Sequence, residues 1–78
     1  MLLAIDMGNT QTALGLYDGD ELVHAWRMPT DRTLTKDELH VRLLGYYHKD
    51  GLDLGCVHAI AVAGVVPRLM REWGGVAG

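Results

Sequence analysis

Cysteine, proline and positive charge are all scarce in this chain of 78 residues. The single cysteine, Cys56, can form no internal disulfide, which excludes a disulfide-stapled scaffold and fits a reducing compartment. It is expected to act as a small apolar filler beside a strand. Two prolines, set against 49% hydrophobic and 22% charged residues, exclude collagen-like and disordered compositions and point to an ordinary globular core. Seven basic residues face ten acidic ones, for a formal net charge of -3. That balance provides no basic footprint, so neither nucleic acid nor an anionic membrane is an expected partner. The leading apolar stretch, Met1 to Ile5, is broken by Asp6, short of the roughly 7 to 15 apolar residues of a signal peptide. No apolar run approaches the ~20 residues of a membrane span, and the expected location is the cytoplasm. Shortness is itself exclusive. A domain this small buries only about 60 to 65% of its unfolded surface, and two enzyme lobes with a cleft between them do not fit.

What is present reads as alternating elements. Leu2-Leu3-Ala4-Ile5, closed by Asp6 and Gly8, is a short apolar run expected to form a strand buried on both faces. Thr12 to Tyr17 and Glu21 to Arg27 are two further strands, and Asp18-Gly19 between them predicts a type I′ hairpin turn and antiparallel pairing. Pro29 ends the third strand, and Thr30 to Thr33 is polar loop. Thr35-Lys36-Asp37-Glu38 matches a capping box, so a helix begins there. Leu39, Leu43 and Tyr46 or Tyr47, with Leu44 beside them, form its apolar stripe. His48 and Lys49 suit its negative end, and Gly51 is placed to cap it. Val57 to Ala63 is a fourth strand, followed by Gly64. Pro67 opens a second helix over Arg68 to Trp73, cut off by Gly74-Gly75. The expected order is β-β-β-α-β-α in a mixed α/β sheet.

The chemistry concentrates in Asp6-Met7-Gly8-Asn9-Thr10-Gln11-Thr12, which joins two strands. There is no G-x-x-x-x-G-K-[ST] and no G-x-G-x-x-G opening a helix, so two familiar phosphate loops are excluded. What remains is a carboxylate at a strand end, a glycine permitting close backbone approach, and the hydrogen-bonding side chains of Asn9, Thr10 and Thr12. Such a turn can present N–H groups and hydroxyls to phosphate, with the carboxylate holding Mg²⁺ through water. The same residues also make an ordinary turn, and on their own they favour it. Their place between a buried first strand and two antiparallel partners tips the balance towards a site. His24, His40, His48 and His58 lack paired metal-ligand spacing and are read as structural or surface residues. Trp26 and Trp73 are read as core aromatics, Arg68 and Arg71 as solvated. Arg32, in the polar loop, is the basic residue best placed to meet a ligand or a second lobe.

Several of these segments together resemble the start of a type III pantothenate kinase, within the actin, hexokinase and Hsp70 kinase superfamily. They are Leu2 to Thr12, Tyr17-Asp18-Gly19, Trp26-Arg27, Thr30-Asp31-Arg32, Thr35 to Leu39 and Gly64-Val65-Val66-Pro67. The resemblance implies a ribonuclease H-like (actin-like ATPase) lobe, with residues 1–78 as its incomplete N-terminal part and the second lobe absent. It implies ATP-dependent phosphorylation of pantothenate, the first step of coenzyme A biosynthesis, by a homodimer using Mg²⁺ and a monovalent cation, K⁺ or NH₄⁺. It makes Asp6 the carboxylate near Mg²⁺ and the transferred phosphate, and Gly8, Asn9, Thr10, Gln11 and Thr12 the phosphate-contacting turn. Gln11 stands where the family often has asparagine, and Ala63-Gly64 replaces a common Ser-Ser pair. The family's Gly-x-Asp-Arg segment, which carries the general base, has no counterpart, so the 78 residues alone are expected to be inactive. Two other readings stand beside this one: a non-catalytic regulator on the same fold, like the Bvg accessory factor, and a free-standing small binding domain.

Overall fold

The computed structural model describes residues 1–77. Strands β1 (Leu2–Met7), β2 (Gln11–Asp18) and β3 (Glu21–Pro29) are followed by helix α1 (Lys36–Lys49), a 3₁₀ turn (Leu54–Cys56), strand β4 (Ala59–Gly64) and helix α2 (Pro67–Ala77). The four strands form one mixed sheet in the order β3-β2-β1-β4. β1 runs antiparallel to β2 and parallel to β4. The expected order of elements and the mixed sheet are both present.

Burial alternates along the strands. Leu3, Ile5 and Met7 of β1, Leu14 and Leu16 of β2, and Trp26 and Met28 of β3 are buried on one face. There they meet Leu39, Leu43 and Tyr47 of α1 and Leu69 and Trp73 of α2 in a single core. The expectation that β1 is buried on both faces is therefore corrected. Both helices lie on one side, and the opposite face carries the exposed Leu2 and Asp6 with the half-buried Ala4. That second face is rich in small residues, Ala4, Ala13, Gly15, Ala25, Ala61 and Ala63, which with Tyr17 and Leu22 line a groove of about 630 Å³. An apolar run in the sequence reports apolarity, and here half of it, Leu2 and Ala4, lies on an open face.

Other boundaries also move. The β2–β3 hairpin has Asp18 paired with Glu21, so its central residues are Gly19 and Asp20. Only Gly19 has positive φ, at 62°, which is the type II′ pattern rather than the expected type I′. Pro29 sits inside the last position of β3, tolerated because β3 is a sheet edge. Helix α1 carries the full predicted capping box on Thr35 and Glu38. Gly51, at φ 72°, follows its C-cap Asp50. Of the two tyrosines, Tyr47 is the buried one, and Leu44 lies outside the core at 37% exposure. α2 continues through Gly74-Gly75 instead of stopping at Trp73. Each glycine costs about 1 kcal/mol against alanine in a helix, but Trp73 is 1% exposed and ties this turn to the core. At Gly75 a Cβ would stand 2.9 Å from Lys36 Cδ, so the glycine lets the α1 lysine stem lie against α2.

Two cross-links fix α1, one to the sheet and one to α2. The Trp26 indole N–H donates to Asp50 Oδ2 at 2.6 Å, while the indole ring stacks on His24 and Tyr46. That hydrogen bond holds the Asp50 carboxyl below its ordinary 3.8, against partial desolvation and with help from Lys49 and His24. At the other end, Glu72 of α2 accepts from the Lys36 N–H at 2.8 Å, capping the first turn of α1. One polar group is left over: the buried Tyr47 hydroxyl has no partner among the described residues. Burial, and to a lesser extent Cys56, pushes its pKa up to about 12.

These two groups set the pH dependence of folding. The depressed Asp50 pKa contributes stability above pH 3.8 that is lost as pH falls through the lower folded value. Trp26→Phe should therefore flatten the acid limb of an unfolding-midpoint-against-pH curve. The raised Tyr47 pKa contributes stability that is full below pH 10 and lost as pH rises towards about 12. Tyr47→Phe should abolish that alkaline decline and, by removing an unsatisfied hydroxyl, raise stability at pH 8 by up to about 1 kcal/mol in urea titrations. A destabilised Tyr47→Phe variant would show that the hydroxyl has a partner in solution.

Candidate functional site

The C-terminal end of β1 turns into β2 through Gly8-Asn9-Thr10-Gln11. The turn is closed by the Gly8 N–H donating to Gln11 O at 2.8 Å. A Cβ on Gly8 would lie 3.0 Å from that same oxygen, so the tight closure favours glycine. Thr30, just beyond β3, braces the turn from beneath. Its N–H donates to Thr10 O at 2.9 Å, and its hydroxyl donates to Gly8 O at 2.9 Å. The Thr12 hydroxyl lies 2.9 Å from the Thr30 hydroxyl. A hydroxyl has one proton, and Thr30 has spent it on Gly8 O, so Thr12 is the donor of that pair.

A census of the turn's polar atoms shows an asymmetry. The carbonyl oxygens of Gly8, Thr10 and Gln11 all accept hydrogen bonds from within the fold. The side-chain amide oxygens are also taken: Arg32 Nη2 donates to Asn9 Oδ1 at 3.1 Å, and Arg27 Nη1 donates to Gln11 Oε1 at 3.2 Å. By contrast, among the described residues the Asn9 and Thr10 N–H groups donate to no backbone carbonyl. Three of the turn's four carbonyl oxygens and both of its side-chain amide oxygens are thus occupied, while two of its N–H groups are free of backbone partners, a balance that suits an anion.

Asp6 stands beside this turn on the open face. It is exposed, and none of the ion pairs involves it. Pairing sets Arg27, Ala13, Asp6 and Ala63 in one row across the sheet. Arg27 is thus two strands from Asp6, a backbone separation of about 10 Å, and its guanidinium is engaged with Gln11 rather than with Asp6. A free carboxylate next to a donor-presenting turn can hold a hydrated cation that in turn meets the anion.

The family model described as type III pantothenate kinase matches residues 2–77. The chain belongs to the type III pantothenate kinase family. It is 44% identical to the type III pantothenate kinase of Desulfotalea psychrophila over 94% of its own length and 27% of the relative's. The corresponding figures are 46%, 92% and 29% for the relative from Streptomyces griseus, and 41%, 90% and 27% for that from Geobacillus kaustophilus. The chain therefore spans little more than a quarter of the curated relatives it matches.

Seen as a segment of that family, the chain brings its expected site residues together with one exception. Gly8 is half-buried, and Asp6, Asn9, Thr10 and Gln11 are exposed around one turn. Thr12 is 2% exposed, and its hydroxyl points to the helix side, towards Thr30. Residue alternation along β2 puts it there, since Thr12 shares the face of Leu14 and Leu16. Sequence reasoning missed Thr30 and Arg27 as partners of the turn. Arg68, read as solvated, instead donates to Arg32 O at 2.7 Å and Leu34 O at 2.9 Å. At Gly64, a Cβ would come within 2.6 Å of Met7 Cβ and 2.7 Å of Met7 O, so any side chain at this position would require β1 and β4 to part. His24 stacks on Trp26, and among the described residues no three His, Cys, Asp or Glu side chains gather.

The brace can be tested by stability alone. Thr30→Val keeps the shape but strips the hydroxyl, leaving Gly8 O and the Thr12 hydroxyl unpaired. Gly8 is half-buried and its carbonyl can turn to water, whereas Thr12 is buried; one unsatisfied buried group costs about 1–3 kcal/mol, so urea unfolding should show a loss in that range, with Thr30→Ser close to the parent. An unperturbed Thr30→Val would refute the brace.

Proposed function

We propose that the protein is a kinase that transfers the γ-phosphate of ATP to the hydroxyl of pantothenate, and that Gly8 to Gln11 receives the nucleotide phosphates. The observation that carries this reading is the acceptor-quenched, donor-presenting turn beside the unpaired Asp6. Phosphoryl transfer asks little covalent chemistry of the protein. It depends on positioning and on stabilising negative charge spread over the transferred group. In this proposal the Asn9 and Thr10 N–H groups, the amide NH₂ groups of Asn9 and Gln11, and the Thr10 hydroxyl donate to phosphate oxygens. Thr12 supports them from below through Thr30.

The residues present fit Mg²⁺ in one specific way. A lone carboxylate, among described residues that gather no cluster of three metal-ligating side chains, suits an ion that keeps most of its waters and takes its other ligands from phosphate. Asp6 is its holder in this reading, and Mg²⁺, when bound, would neutralise charge on the phosphates. K⁺ or NH₄⁺ does not fit this turn, because a cage of several carbonyl oxygens is needed and three of the four already accept hydrogen bonds; no step is assigned to a monovalent cation. The general base, the adenine and pantothenate pockets and the homodimer contacts are assigned to the three quarters of the relatives' length that this chain does not span. The sheet order and one-sided helices are consistent with the opening of a ribonuclease H-like lobe. No helix of the described residues is long and apolar enough to cross a membrane, and cytoplasmic action is proposed from the need for ATP.

The test is ATP-dependent formation of phosphopantothenate by the full-length protein and its Asp6→Asn variant. The substitution should lower kcat by about 100-fold, the scale of losing one preorganised electrostatic contact to the transition state. Wild-type turnover by Asp6→Asn would remove Asp6 from the mechanism, and no turnover by the parent would favour the regulator reading.

A further inference from the structure

We propose that Arg32 is a positioning residue for phosphate binding: it fixes the Asn9 side chain with its NH₂ group facing the anion, and α2 sets Arg32 in turn through Arg68. This rests on the reading of Gly8 to Gln11 as a phosphate turn and adds a device to it. An asparagine amide can rotate by half a turn and present either its oxygen or its nitrogen. Towards a phosphate the first repels and the second binds. A guanidinium has donors only, so the Asn9 atom that meets Arg32 Nη2 at 3.1 Å must be the oxygen. The NH₂ group is thereby turned away from Arg32 and left unpaired. Arg27 does the same for Gln11 at 3.2 Å from the other side of the turn.

Arg32 is unlike Arg27 in how it is held. Arg27 lies within β3, whereas Arg32 lies in a loop, and a loop residue positions nothing unless its own backbone is fixed. Here it is fixed from two directions. Asp31 Oδ1 accepts from the Thr33 hydroxyl at 2.6 Å and from the Thr33 N–H at 2.9 Å, closing the loop upon itself. From α2, the Arg68 guanidinium donates to Arg32 O and Leu34 O. The Glu72 carboxylate, one turn later, lies 3.9 Å from Arg68 and also takes the Lys36 N–H. A continuous path of hydrogen bonds thus runs from α2 through the loop to the amide of Asn9. Its consequence is preorganisation: the donor faces the anion before the anion arrives, and no reorientation has to accompany binding.

Steady-state kinetics and MgATP titration calorimetry of the full-length protein test this. Arg32→Ala should raise the KM and Kd for ATP by about tenfold, the weight of one charge-assisted hydrogen bond, with kcat within about threefold. Arg32→Lys, which keeps a donor, should recover most of the affinity. Arg68→Ala should move ATP affinity in the same direction by a smaller factor. The decisive comparison is the double variant: because Arg32 acts through Asn9, Asn9→Ala with Arg32→Ala should bind ATP no more weakly than Asn9→Ala alone. Fully additive losses, or an unchanged ATP affinity in Arg32→Ala, would overturn the positioning role while leaving the phosphate turn intact. Failure of the unsubstituted protein to bind MgATP would instead overturn the reading of the turn, and the role of Arg32 with it.

Discussion

The site depends on two hydrogen bonds from one residue. Thr30 places its N–H on Thr10 O and its hydroxyl on Gly8 O, and so removes the carbonyl acceptors that would otherwise repel an anion at the β1–β2 turn. Together with the Gly8 to Gln11 closure, this occupies three of the turn's four carbonyl oxygens and shifts its balance of free groups towards donors. Threonine does this with a single side chain because it offers a backbone donor and a rotatable hydroxyl a few ångströms apart. The buried Thr12 hydroxyl completes the arrangement by donating to Thr30.

Behind the turn, one-sided packing decides where it faces. α1 and α2 cover one face of the sheet, and Trp73, Tyr47 and Trp26 fill the space between. The other face holds alanine and glycine with Asp6 and Arg27 at the end nearest the turn. Asp6 is exposed because β1 alternates, and the neighbours Ile5 and Met7 belong to the core. The close parallel approach of β1 and β4 at Met7 and Gly64, with Val65 N donating to Met7 O, holds the strand end from which the turn departs.

Much of the fold was legible in the sequence. The capping box of Thr35 and Glu38, the Leu39-Leu43-Tyr47 stripe and the glycines at 19 and 51 are short-range signals, each set by residues within a few positions of one another, and the structure carries all of them. The errors came where long-range packing intervened. α2 passes through Gly74-Gly75 because Trp73 anchors it, a tertiary contact that outweighs a local propensity. β1 was expected to be covered twice because an unbroken apolar run does not say on which side helices will lie.

The candidate site divides along the same line. Asp6, Gly8, Asn9 and Thr10 are candidates by residue type and by their place at a strand end, which is local chemistry, and the family resemblance adds Gln11. The sequence by itself determined which groups are available there, and the family to which they belong. Only the tertiary structure decided which of them are free. Thr30, Arg27, Arg32 and Arg68 reach the turn or its loop from positions 16 to 36 residues away, and they settle which oxygens are occupied and which donors remain. The physical reason is that hydrogen-bond satisfaction is a property of pairs, and the second member of each pair comes from another part of the chain.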